Sequence, residues 1–161
     1  MNKVKRQLDN ILSKIVIFIM AFMVINVLWQ VFSRFVMKSP SSFTEELARY
    51  LLIWLGILGA SYATGQKLHL AIDLLPTKLK GKKKLYLDII IELCILIFSL
   101  SVMVIGGARL MLITFDLNQI SAALQIPLGY VYVVIPLSGL IMSFYSLFFI
   151  SKNIKQLKII K

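Results

Sequence analysis

Apolar residues fill four long stretches of the chain, and polar and charged residues collect at the ends of these stretches. The stretches run from about residue 15 to 33, 43 to 64, 85 to 109 and 128 to 150. As helices rising about 1.5 Å per residue, they can cross a hydrocarbon core of about 30 Å, because a helix satisfies its own backbone hydrogen bonds. The pattern therefore predicts an all-α integral membrane protein with four transmembrane helices, forming a single membrane domain over residues 1–161.

The placement of charge predicts the orientation in the membrane. The chain has 18 Lys and Arg against seven Asp and Glu, for a net charge of +11. Fourteen of the 18 basic residues precede the first stretch, lie between the second and third, or follow the fourth; the other four lie on the opposite side. By the positive-inside rule, both termini are expected in the cytoplasm. Since the charges flank apolar stretches rather than cover a polar domain, we expect no nucleic-acid partner.

Three segments outside the stretches combine spaced apolar residues with lysines, which is typical of short amphipathic helices on the cytoplasmic membrane surface. An unstructured basic segment is the alternative, above all for the loop and the tail. Their apolar residues are Val4, Leu8, Ile11 and Leu12 near the N-terminus, Leu68, Ile72, Leu75 and Leu79 in the second loop, and Ile154 and Leu157 in the tail.

The second stretch opens with charges and carries small residues further along. Glu45 and Glu46 lie four and three residues before Arg49, so either carboxylate is spaced to pair with it. At about 100° per residue, Arg49, Gly56 and Ala60 share one face, with Glu46 at its edge. Small residues let membrane helices approach closely, so we expect this face to pack against another helix. Glu46 and Arg49 are then candidates for a subunit contact or a docking surface.

Polar residues form similar stripes on the other three stretches. Intramembrane ionisable groups usually face protein or water, and a lone Asn usually bonds a neighbouring helix. Packing within the chain and contact with a partner subunit are equally compatible with these stripes. Lysines 82–84 are candidate partners for the two acidic residues. Pro136 either kinks the fourth helix or is simply accommodated. The candidates are Asn26 in the first stretch, Asp88 and Glu92 with Ser99, Gly106 and Arg109 in the third, and Pro136 with Gly139, Ser143 and Ser146 in the fourth.

The chemistry that the sequence lacks narrows the function. One cysteine, Cys94, and one histidine, His69, supply neither a disulfide, nor a bis-histidine haem site, nor a complete metal site, and we expect no cofactor and no enzymatic activity. No charged residue lies clearly at the middle of a stretch, where a proton or cation carrier working alone would normally place one. We therefore expect the chain not to move a solute by itself. A small homo-oligomeric exporter or channel acting without partners is the alternative.

Several short motifs, in order along the chain, resemble the small membrane subunit of tripartite ATP-independent periplasmic (TRAP) transporters, the DctQ-like family. The resemblance covers nearly the whole chain. It rests on residues 29–35 with Arg34, Glu46 to Tyr50 with Arg49, Trp54, Gly59 and Ala60, His69, Asp73, Ile126 and Pro127, Tyr132 and Pro136.

The resemblance implies a transporter of three components in the bacterial inner membrane. A periplasmic substrate-binding protein captures an organic acid of the sialic acid or C4-dicarboxylate type, and a large membrane transport subunit imports it on a sodium gradient. The small subunit, separate from the large one, would support it and help to dock the binding protein, with membrane lipids at the subunit interface. His69 and Asp73, spaced i, i+4, would lock the second loop. This reading leaves the substrate unassigned.

Overall fold

The computed structural model describes residues 2–39, 41–68 and 82–159. In those ranges, four helical rods are long and apolar enough to cross a membrane, which confirms the four predicted spans. The first and second spans are single helices. The third joins two α-helices through a π-helical segment, and the fourth joins a short helix to a long one. The elements are α1 (Asn2–Phe35), α2 (Ser42–Gln66), α3 (Lys82–Phe98), the π segment (Ser99–Gly106), α4 (Gly107–Asp116), α5 (Leu128–Tyr132) and α6 (Val134–Ile159).

The helices run further than the apolar stretches that predicted them. The prediction of separate surface helices at the N-terminus and in the tail was wrong, because α1 is one helix from Asn2 and α6 one helix to Ile159. The cause is packing: Leu12 is 3% exposed and joins a core cluster with Phe148 and Phe149 of α6, so both ends stay helical in the bundle. The part of the second loop after Leu68 lies outside the described residues.

Neighbouring spans pack in the order first, second, fourth, third. Helix α1 packs against α2, α2 against α6, and α6 against α3 and the π segment. Among the described residues, α1 and the third span make no extensive contact with each other. The four spans therefore form a row rather than a closed bundle. Large apolar side chains along α1, such as Phe18, Ile25 and Leu28, remain exposed on this chain.

The antiparallel arrangement gives the row two different ends. One end holds the start of α1, the end of α2, the start of α3 and the end of α6; we call it the lysine-rich end because Lys5, Lys67, Lys84 and Lys152 lie there. The other end holds residues 36–39, residue 41 and the segment from Leu117 to Pro127, and we call it the loop end. These names carry no membrane orientation.

The π segment changes which residues of the third span are buried. Glu92, Ser99, Gly107 and Thr114 are buried, whereas Gly106, which an uninterrupted α-helix would place on the same face, is exposed. The wider turns of a π-helix shift the register by about one residue. The segment lies against Gly139 of α6, since a Cβ on that glycine would be 2.7 Å from Met103 Cβ and 3.0 Å from the carbonyl oxygen of Ser99.

The helix of the fourth span is interrupted three residues before Pro136. The interruption lies at Val133, between α5 and α6, and Pro136 is in the first turn of α6. Proline is well tolerated in a first turn, because backbone N–H groups there have no partner within the helix. Since proline also has no N–H to donate to the carbonyl oxygen of Tyr132, four residues earlier, the break at Val133 lies where Pro136 removes a helical hydrogen bond.

Candidate functional site

A single carboxylate at the loop end joins α2 to the segment that connects the third and fourth spans. Glu46 accepts backbone N–H hydrogen bonds from Ala122 at 3.1 Å, Ala123 at 2.7 Å and Leu124 at 2.8 Å. The hydroxyl of Tyr50, one turn further along α2, donates to the same carboxylate at 2.7 Å. Hydrogen bonds to an ionised acceptor are the stronger kind. Glu46 therefore fastens residues 117–127, which we call the clamped loop, to α2.

The clamped loop is also closed by its own backbone. Ser121 donates its N–H to the carbonyl oxygen of Ile126, and Leu128 donates to that of Gln119, both at 2.9 Å. Gln125 adopts a φ of 55°, which turns the chain back on itself. Ser121 is buried, whereas Ala122 and Gln125 are exposed. The clamped loop is thus a turn held by its own hydrogen bonds, and it exposes the apolar Ala122 and the polar Gln125.

Arg49 is left on the surface at the same end of α2. Of its two candidate partners, Glu45 is the one that faces it, with Arg49 Nη2 3.9 Å from Glu45 Oε1. The two side chains are 67% and 54% exposed, so the pair contributes little to stability. Glu46 instead serves the clamped loop. The guanidinium of Arg49 is therefore available to a partner.

Helix α2 meets both helices of the fourth span, α5 and α6, along a seam of small and hydrogen-bonding residues. Trp54 donates its indole N–H to the carbonyl oxygen of Val131 at 3.0 Å. Further along, the hydroxyl of Ser138 donates to the carbonyl oxygen of Ile57 at 2.8 Å and also contacts the hydroxyl of Ser61. Inside a membrane such bonds are made between helices because no water is available. Trp54, one of the predicted site residues, is thus part of the internal seam.

The face of α2 that carries Gly56 and Ala60 points away from the seam. Both residues are exposed, and a Cβ built on Gly56 or on Gly59 would meet nothing within 4 Å. The expectation that this face packs against another helix is wrong within the described part of this chain. The buried face instead carries Leu58 and Ser61, because the seam hydrogen bonds and a close approach at Gly65 favour that side.

Asn26 joins the first two spans. Its side chain is 7% exposed, and Nδ2 donates to the carbonyl oxygen of Thr44 at 2.8 Å. This is a helix–helix contact of the kind that the sequence predicts. Arg34, by contrast, is exposed in the last turn of α1. The two residues therefore play different structural parts.

Two acidic residues of the third span, Asp88 and Glu92, lie in its lysine-rich half. Glu92 is 6% exposed, and its Oε1 lies 3.9 Å from Nζ of Lys67, at the C-cap of α2. Lysines 82–84, the candidate partners, are exposed in the first turn of α3, and Lys67 takes that place at Glu92 instead. Asp88 is half-buried one turn away.

Two predicted residues lie outside the described residues, namely His69 and Asp73. Within the described ranges, no three His, Cys, Asp or Glu side chains come together in a way that could hold a metal ion. The lock between His69 and Asp73 stays a prediction.

Asp9 is a structural residue that the sequence reasoning missed. Its Oδ2 lies 2.6 Å from Lys5 Nζ, and its Oδ1 accepts the hydroxyl hydrogen of Tyr145 at 2.6 Å. The Lys5 ammonium lies 5.6 Å from the centre of the Tyr145 ring. The i, i+4 spacing of Lys5 and Asp9 was visible in the sequence, but Tyr145 lies 136 residues away from Asp9. This group ties α1 to α6 at the lysine-rich end.

The sequence of this chain matches one known protein family over most of its length. A family model described as "Tripartite ATP-independent periplasmic transporters, DctQ component" matches residues 23–156. The matched range contains the seam between α2 and the fourth span, Glu46 and the clamped loop.

Two relatives are similar over most of their length, and a third over a short part of its own. A Vibrio cholerae protein named "Sialic acid TRAP transporter small permease protein SiaQ" is 27% identical over 136 residues, which cover 81% of this chain and 79% of that protein. A Haemophilus influenzae protein named "Putative TRAP transporter small permease protein" is 30% identical, over 84% of this chain and 83% of that protein. A "Sialic acid TRAP transporter permease protein SiaT" from Haemophilus influenzae is 34% identical over 73 residues, 43% of this chain and 12% of that protein.

Proposed function

Because the chain belongs to the DctQ component family of tripartite ATP-independent periplasmic transporters, as a small permease subunit in the inner membrane, we propose that it braces the large transport subunit and helps to dock a periplasmic binding protein. The family is a transporter component rather than an enzyme. In this proposal the large subunit moves the solute, driven by a sodium gradient, and this chain does not.

The uncovered small face of α2 carries the proposal. Gly56, Gly59 and Ala60 leave room for a neighbouring backbone, and nothing in the described part of this chain fills that room. Glycine within a helix destabilises it by about 0.5–1 kcal/mol relative to alanine, so a helix gains from glycines mainly where another backbone comes close. The row of spans leaves the face open for a helix of the large subunit.

Co-purification of the two membrane subunits tests this assignment. We expect Gly56→Trp to lower the yield of large subunit retained on a tagged small subunit at least tenfold, because an indole fills the space for the incoming helix. Gly106→Trp is the matched control, since Gly106 is also exposed and a Cβ there would meet only the carbonyl oxygen of Ser101, at 3.8 Å. If both variants retain the large subunit equally, the small face of α2 is not the contact.

The orientation of the row decides what the binding protein meets. We propose that the lysine-rich end faces the cytoplasm, as the positive-inside rule requires. The clamped loop and Arg49 then face the periplasm. A rigid turn beside an exposed guanidinium is suited to steering an incoming protein through complementary charge.

Uptake at different concentrations of binding protein tests the docking role. With the complete transporter in liposomes, we expect Arg49→Glu to raise severalfold the concentration of binding protein that gives half-maximal uptake. Lys158→Glu at the other end is the control, because its charge change is the same and the residue is exposed. A shift of equal size in the control would assign the effect to net charge.

The substrate is proposed from the relatives and not from this chain's own residues. Two of the matched proteins are named for sialic acid transport. We propose import of an organic acid of the sialic acid or C4-dicarboxylate type, selected by the other components. Uptake of labelled sialic acid and of labelled succinate by the complete transporter, in sodium and then in potassium medium, tests substrate and coupling together. Transport by this chain alone in liposomes would instead favour an exporter or channel.

A further inference from the structure

A cleft of about 590 Å³ opens at the lysine-rich end, between the end of α2, the start of α3 and the end of α6. Three basic side chains and three apolar ones make up most of its wall: Lys67, Lys84 and Lys152, and Leu85, Phe149 and Ile159. The cleft thus places positive charge beside an apolar surface.

The charges around the cleft are not balanced by this chain. Asp88 is the acidic residue among those lining the cleft, against the three lysines. The ammonium group of Lys67 already pairs with the carboxylate of Glu92, and it lies 4.5 Å from the centre of the Phe149 ring. Lys84 and Lys152 are exposed and form no ion pair with any described residue. The cleft is therefore suited to an anion.

Asn153 gives a second and independent indication of a ligand. Its side chain lines the cleft and is 5% exposed, yet its Nδ2 has no hydrogen-bond partner in the part of the chain that the structure describes. A buried amide without a partner is unfavourable, and native structures contain few of them. An acceptor oxygen bound in the cleft would satisfy it.

We propose that this cleft binds the headgroup of an anionic phospholipid, with phosphate oxygens facing Lys84, Lys152 and Asn153 Nδ2. A lipid is favoured over a soluble anion because Leu85 and Phe149, which line the cleft, belong to helices that are long and apolar enough to cross a membrane. Lysines that flank spans lie at the depth of lipid phosphates, where anionic lipids attract them. The bound lipid would join the ends of the second, third and fourth spans.

Lipid titration of the purified full-length chain in a neutral detergent tests the proposal, with native mass spectrometry as the readout. The probes are phosphatidylglycerol, phosphatidylcholine with the same acyl chains, and inorganic phosphate. We expect phosphatidylglycerol to bind at least tenfold more tightly than phosphatidylcholine, and inorganic phosphate not to compete at concentrations up to millimolar. The chain is tested without other subunits, so failure here leaves the proposed transporter role intact.

Matched lysine variants separate a site from general surface charge. Each lysine near anionic lipid is expected to contribute about a fivefold factor in affinity. Lys84→Gln and Lys152→Gln should each weaken phosphatidylglycerol binding by about that factor, and Lys155→Gln, an exposed lysine outside the cleft on the same helix, should leave it unchanged. Asn153→Leu should weaken binding while keeping the volume of the side chain similar.

Three results would overturn the assignment. Equal weakening by Lys155→Gln would mean diffuse attraction to the lysine-rich end. Equal binding of phosphatidylcholine would mean that the headgroup charge is not recognised. Displacement of the lipid by inorganic phosphate would mean a soluble-anion site. Because Lys84 and Lys152 are exposed, their single variants are expected to fold, and circular dichroism checks that the helical content is retained.

Discussion

The ring of Tyr145 occupies the space in which any side chain on residue 65 would lie. A Cβ built on Gly65 would be 2.6 Å from Cζ of Tyr145 and closer than 3 Å to both neighbouring ring carbons. Gly65 is buried near the end of α2, and Tyr145 is fully buried in α6. This pair sets the distance between α2 and α6 at the lysine-rich end.

Gly65→Ala is expected to destabilise the chain. An inserted methyl group must push the Tyr145 ring or the helix aside, and overpacking of this kind typically costs about 1–3 kcal/mol. Gly59→Ala, on the open side of the same helix, should be neutral or stabilising by up to about 1 kcal/mol. Thermal unfolding of both variants in detergent measures the difference. Equal unfolding temperatures would mean that Tyr145 can move out of the way without loss.

Glu46→Gln is expected to loosen the clamped loop. The amide keeps one acceptor oxygen but places an N–H donor where the other carboxylate oxygen accepts, so the N–H groups of Ala122, Ala123 and Leu124 can no longer all be bonded, and the negative charge is lost. Hydrogen bonds to charged groups are each worth about 1.5–3 kcal/mol, so the amides of these three residues should exchange with solvent tenfold or more faster. Hydrogen–deuterium exchange gives the readout.

Glu45→Gln is the control for the Glu46 variant. Glu45 is exposed and only reaches Arg49 at 3.9 Å, so its loss should change stability by less than about 0.5 kcal/mol and leave the exchange of the loop unchanged. Faster loop exchange in both variants would show that the charge of the first turn matters rather than the contacts of Glu46.

Trp54→Phe is expected to weaken the seam between α2 and the fourth span, at its α5 end. Phenylalanine keeps most of the apolar contact but leaves the carbonyl oxygen of Val131 without the indole donor, at a cost of about 1–3 kcal/mol. Trp29→Phe is the control, because Trp29 lies on α1 and is 52% exposed. Thermal unfolding should show a loss for the first variant and little change for the second.

Asp9→Asn is expected to release the start of α1 from α6. The neutral side chain loses the ion pair with Lys5 and weakens the hydrogen bond from Tyr145. Trypsin should then cut after Lys5 and Arg6 severalfold faster, because a frayed helix end is a better protease substrate. Asp116→Asn is the control, because Asp116 is exposed at the end of α4. Trypsin should cut this variant at the wild-type rate. Unchanged cleavage in the Asp9 variant would show that apolar packing at Leu12 suffices.

The sequence predicted the spans well because each apolar stretch is an obligatory membrane crossing. It predicted the ends poorly, since Leu12 and Phe149 continue the packing beyond the most apolar part of each helix. The small face of α2 was expected to pack against another helix, and within the described residues it packs against none. Both sides of α2 carry small residues, and periodicity alone does not distinguish the Gly56 side from the side with Ser61 and Gly65.

Two features depended on contacts between distant parts of the chain. The backbone partners of Glu46 lie 76 to 78 residues away, and backbone groups leave no side-chain signal in a sequence. The π segment shifted the buried glycine of the third span from Gly106 to Gly107, a change that a regular helical wheel does not contain. The sequence therefore did not identify most of the contacts that the candidate residues make within this chain.

The order of the spans constrains how the chain is assembled in the membrane. The fourth span is synthesised last, yet it lies between the second and the third. Those two spans must therefore enter the bilayer without closing on each other, and their final neighbour arrives only when α6 has been made. Until then the serine and glycine residues of the second span lack their final contacts. A truncated nascent chain would therefore be a natural substrate for quality-control proteases.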